Sequence, residues 1–208
     1  IGAGRSKNTA GSVVLTSGDS KRVEGGGVLV STGSSLKQSS GSLTLGTAGA
    51  HRSGSISLTS GESSVGTPGT IGIRVGISRG DSRGGDVLVS GGDSPLGAGG
   101  SVTLTAANGA ERGGQIDMIA GVGAAGGGGS VYLVGGETAA SSAGGQVFVQ
   151  SGSVSRGTSG DIVGATSASS SGSGSIHIST GSETQASARE SGGITLSTGS
   201  GSQKAGTV

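Results

Sequence analysis

A chain of 208 residues with 50 glycines, two prolines and only Tyr132 and Phe148 as aromatics lacks the side chains that normally fill a globular core. Thirteen basic against twelve acidic residues leave a net charge of +1, which supplies no basic field for a phosphate backbone and argues against nucleic-acid partners. The absence of cysteine removes disulfides and thiolate metal sites, and no apolar run approaches the roughly 20 residues of a membrane helix.

Along the chain a phrase of the form glycine, small residue, aliphatic, any residue, aliphatic recurs thirteen times, as in Gly11 to Leu15, Gly41 to Leu45, Gly54 to Leu58 and Gly100 to Leu104. Its first aliphatics are Val13, Val28, Leu43, Ile56, Ile71, Val87, Val102, Ile116, Val131, Val147, Ile162, Ile176 and Ile194. The mean step is about 15 residues, and such regular placement separates the chain from a flexible Gly/Ser tether. Within a phrase the period is two. Val13 and Leu15, or Ile56 and Leu58, fall on one face of an extended segment, with Ser or Thr often on the other. Gly at Ser17-Gly18, Thr32-Gly33, Ser60-Gly61 and Thr180-Gly181 marks turns, since glycine tolerates positive φ.

The connectors carry a second period. Arg22, Arg52, Arg83 and Arg112 follow the first, third, fifth and seventh phrases, whereas Leu36, Val65 and Leu96 follow the second, fourth and sixth. Two phrases per 30 residues predict an all-β fold, a flattened parallel β-solenoid (β-helix) with two strands per coil, stacked about 4.7 to 4.9 Å apart. One rim would be polar, with Glu24, Asp81 and Glu111 beside its arginines, and the other tucked in. A 15-residue coil with one strand, or an antiparallel meander, fits the same spacing. The pattern weakens after Val131, and Gly164 interrupts the eleventh phrase.

The array is read as one domain over 1–208, with both ends cut within strand units: Val208 falls where a strand would begin and Ile1 where one would end. It is either an excerpt from a longer array or a subunit that stacks end to end.

Catalytic and cofactor chemistry is poorly provided for. His51 and His177 sit in different repeats with no paired carboxylate, so neither a nucleophilic serine nor a metal has a partner set, and no enzyme, metal or cofactor is expected. Gly126 to Gly129 lacks the Gly-Lys-Ser/Thr ending of a phosphate loop. Gly91-Gly92-Asp93 lacks the regular aspartates of a calcium-binding nonapeptide. O-linked glycans on the Ser/Thr connectors are compatible with the composition.

The residue between the two aliphatics of each phrase would point outward. Thr44, Ser57, Thr103 and His177 are polar, but Leu29, Leu88, Tyr132 and Phe148 are not, and both aromatics of the chain occupy this column. These four are the candidate lateral self-association residues, with Ile1 and Val208 at the axial ends. Thr103 and Thr105 resemble one rank of a flat antifreeze solenoid, but the rank is broken elsewhere, which makes ice binding the alternative. The recurrent Gly-Gly-x-Val-x-Leu-x-Ser-Gly phrase resembles the Gly/Ser/Thr-rich repeat proteins of microbial and algal cell surfaces. That resemblance implies an extracellular structural role and no binding residues. The expectation is therefore a self-associating extracellular filament or matrix subunit whose partners are copies of itself, built by end-to-end strand stacking. An adhesin stalk is a third reading.

Overall fold

A computed structural model describes residues 2–4, 7, 10–139, 142–182 and 191–199. Among the described residues there is no helix and no β-strand, and the backbone is irregular coil punctuated by bends near residues 21, 36, 51, 64, 80, 95, 110, 124, 139, 142, 155 and 170. This overturns the β-solenoid, in its 30-residue form and in the 15-residue form, and the meander with them. None of the described phrases exchanges ladder hydrogen bonds with another. Nor is any described side chain buried.

The energetics explain why the repeat does not close on itself. Two inward aliphatics per phrase offer too little apolar surface to offset the ordering of a glycine-rich backbone of about 15 residues, and the outward apolar side chains cannot be buried by the same face. The rims are corrected too: Leu36, Val65 and Leu96, expected to tuck in, stand fully exposed at the connector tips.

What the repeat does form is a closed loop. In the first of two units, Ile1–Thr103, the amide of Gly11 donates to the carbonyl of Gly4 at 3.0 Å, Gly26 to Gly18 at 2.9 Å, Gly41 to Gly33 at 3.1 Å and Gly100 to Gly92 at 2.8 Å. In the second, Leu104–Val208, Gly114 donates to Ala107 at 2.9 Å, Gly129 to Gly121 at 2.9 Å, Gly145 to Gly136 at 2.8 Å and Gly160 to Gly152 at 3.1 Å. The donor is always the glycine that opens a phrase, and the acceptor lies seven to nine residues earlier. Eight connectors are thus Ω-type loops whose ends meet, hung between extended phrases, whereas those leading to Gly54, Gly69, Gly85, Gly174 and Gly192 make no such bond.

Serine organises several tips. Ser20 Oγ accepts from the amides of Val23 at 3.1 Å and Arg22 at 3.4 Å, and Ser35 Oγ accepts from Gln38 at 3.0 Å and Lys37 at 3.3 Å. A side-chain oxygen placed two residues after the closing carbonyl supplies the turn with an acceptor that the backbone itself lacks.

The role of glycine differs from the turn reading. Among the described residues, positive φ occurs only at Gly66, Gly157 and Gly172, so Gly18 and Gly33 do not serve left-handed turns. Glycine is required instead where the loop closes. A Cβ on Gly145 would lie 2.7 Å from the amide nitrogen of Gly136, one on Gly100 3.0 Å from that of Gly92, and one on Gly129 3.2 Å from that of Gly121.

The opening glycine meets a second small position, four residues after the first aliphatic of the preceding phrase. Gly26 approaches Ser17, Gly41 approaches Thr32, Gly114 approaches Ala106 and Gly129 approaches Ala120. One face of a phrase therefore reads glycine, aliphatic, aliphatic, small, as in Gly11, Val13, Leu15 and Ser17. Closure does not follow from a small residue alone: Gly54, Gly69, Gly174 and Gly192 approach Thr47, Ser60, Thr166 and Thr180 without a closing bond, and Gly85, facing Val75, makes none either.

Candidate interaction surface

The extended phrases keep their two faces even without a sheet. Wherever the outward neighbour is apolar the first aliphatic is the less exposed: Val87 is 56 % exposed where Leu88 is 89 % exposed, and Ile116, at 49 %, is the best covered of the thirteen first aliphatics. The period-two alternation is therefore real, but the inward face is only half covered by its own chain. Whatever completes that burial must come from outside the phrase.

The four lateral residues stand where the alternation puts them. Leu29, Leu88, Tyr132 and Phe148 all project into solvent, with Leu29 and Leu88 in the first unit and Tyr132 and Phe148 in the second. Ile1 and Val208, the axial residues, lie outside the described residues.

The partly buried positions are ones that sequence reasoning passed over. Among the described residues, Ala106, Ala120, Gly135 and Ser151 alone are less than exposed; all four lie in the second unit, and each holds the small position of one of four consecutive phrases. The column of Ser, Thr, Ala and Gly four residues past the first aliphatic, broken by Val75, is visible in the sequence, but turn preferences explain it equally well and hide the contact. The four loops that these phrases feed, from Ala107, Gly121, Gly136 and Gly152, are all closed. This stretch is the best-organised part of the second unit.

Charge adds little to the surface. Arg83 Nη2 pairs with Asp86 Oδ1 at 2.8 Å, not with Asp81 as the connector pattern suggested, and it is the one ion pair among the described residues. Glu24 and Glu111 make no ion pair with Arg22 and Arg112, so no charged rim forms. Both members of the Arg83 pair are exposed, where such pairs contribute between nothing and about 1 kcal/mol. His51 and His177 are exposed in separate units, and among the described residues no three His, Cys, Asp or Glu side chains gather into a metal-binding group. No helix among the described residues is long and apolar enough to cross a membrane.

Comparison with protein families, with curated proteins and with solved structures finds no match.

Proposed function

We propose that this chain is a structural, self-associating subunit of an extracellular matrix or filament, joined to copies of itself through its phrases. The observation that carries this reading is the first aliphatic of all thirteen phrases, only about half covered, with no core among the described residues to receive it. Apolar surface that recurs at a fixed step and finds no intrachain partner is stabilised by neighbours presenting the same step, because each added copy meets the same geometry. The near-zero net charge works in the same direction, since little repulsion opposes close approach of copies. An outer location agrees with the Gly/Ser/Thr composition and with connectors open to O-linked sugar.

Sedimentation velocity across a concentration series tests the reading. The expected result is a reversible rise in mass with concentration, leading to particles visible by electron microscopy. A monodisperse monomer at every concentration would overturn it.

A further inference from the structure

Resting on that reading, we propose that the first contact between copies is made by one outward stripe, Tyr132, Phe148 and Val163, facing the same stripe of a second copy. Six of the thirteen outward positions are apolar, but only here do three consecutive phrases carry one, and both aromatics of the chain belong to the three. Tyr132 is 84 % exposed, Phe148 79 % and Val163 82 %, so none of them is occupied by its own chain.

The stripe sits on the best-closed backbone of its unit. Gly145 bonds back to Gly136 between Tyr132 and Phe148, and Gly160 bonds back to Gly152 between Phe148 and Val163. Each closing bond holds the start of one phrase beside the end of the phrase before it, which lowers the ordering cost of presenting the three side chains together.

Charge selects the partner. From Met118 to Val163 the ionised side chains are Glu137, Arg156 and Asp161, of mixed sign, so the stripe presents no field of one sign for a charged partner to recognise. An uncharged aromatic surface is self-complementary: a two-fold arrangement places ring against ring in the offset or edge-to-face geometry that aromatic pairs prefer.

Area sets the strength. Two aromatics at about 150 to 250 Å² each, with a valine, present on the order of 400 Å² per copy, or roughly 800 Å² for a facing pair. Stable specific interfaces bury about 1,200 to 2,000 Å². A single stripe contact is therefore weak and reversible, and it gains strength only when further phrases of the same two copies engage.

Tyr132 is the one tyrosine and the chain has no tryptophan, so its intrinsic fluorescence reports this stripe alone. In dilute protein, acrylamide should quench Tyr132 freely. As concentration rises, the quenching constant should fall about threefold in step with the mass measured by sedimentation. The double variant F148S/V163S keeps the reporter and should raise the concentration at half-assembly by tenfold or more. Assembly with Tyr132 as quenchable as in the monomer, or undiminished by F148S/V163S, overturns the stripe while leaving self-association standing. The absence of any assembly overturns both.

Discussion

Gly145→Val is expected to open the loop between Gly136 and Gly145 and to remove the ordered path between the two aromatic phrases. The new Cβ would lie 2.7 Å from the amide nitrogen of Gly136, a backbone atom that cannot rotate aside, so the two chain segments must separate. With them goes the 2.8 Å bond from the Gly145 amide to the Gly136 carbonyl. One exposed backbone bond contributes about 0.5 to 1.5 kcal/mol, which corresponds to a two- to tenfold acceleration of amide exchange at residue 145. Valine adds a branched Cβ to that clash, so the effect should lie at or above the upper end. Gly126→Ala is the matched control: nothing lies within 4 Å of its added methyl, and exchange across its loop should be unchanged. Hydrogen exchange read by NMR distinguishes the two, and equal behaviour of the variants would remove close approach as the reason for the recurring glycine.

Assembly should respond strongly to sulfate and to cooling but scarcely to sodium chloride. With a net charge of +1 and one exposed ion pair among the described residues, changing sodium chloride from about 0.05 to 0.5 M screens almost nothing that matters; the assembly concentration should move less than twofold. Sulfate strengthens apolar burial by exclusion from the surface, and about 0.5 M should lower the assembly concentration by tenfold or more. Cooling weakens the same term, so assemblies formed at 25 °C should dissolve in part at 4 °C. Light scattering across the two salts and temperatures gives the comparison. Strong dependence on sodium chloride would mean that the arginine-bearing connectors, not the phrases, join the copies.

The phrase itself was legible in the sequence, and its two faces are present in the structure as the contrast between Val87 and Leu88. Alternation reports only which side chains share a face of an extended segment. It does not report whether that face finds a partner within the chain. The solenoid required such a partner, and two aliphatics per repeat do not offset the ordering of about 15 residues. The connector period misled for a related reason: Arg22 and Arg52, both in the first unit, recur in register, yet without stacked coils nothing brings them to a common rim. Glycine was legible as punctuation, but its purpose was not. Gly26 and Gly145 are needed because another stretch of backbone passes beside them, a contact between residues eight or nine apart that local turn preferences do not encode. The small residue that completes the contact, Ser17 or Ala120, was hidden by the abundance of small residues around it. Of the lateral residues, Tyr132 and Phe148 were marked by being the only aromatics, whereas Val163 gains meaning only from the closed loop that precedes it.

The closed loops also store slack. Each of the eight closes over a separation of seven to nine residues through one exposed backbone hydrogen bond, joined in the Gly18–Gly26 loop by Ser17 Oγ donating to the Gly26 carbonyl at 2.7 Å. At about 3.3 Å per extended residue, opening one releases on the order of 20 Å of contour. A subunit anchored at two points in a matrix would lengthen under tension by surrendering these bonds one after another, before any contact between copies carried the load. The glycines that permit closure would then set the compliance of the material.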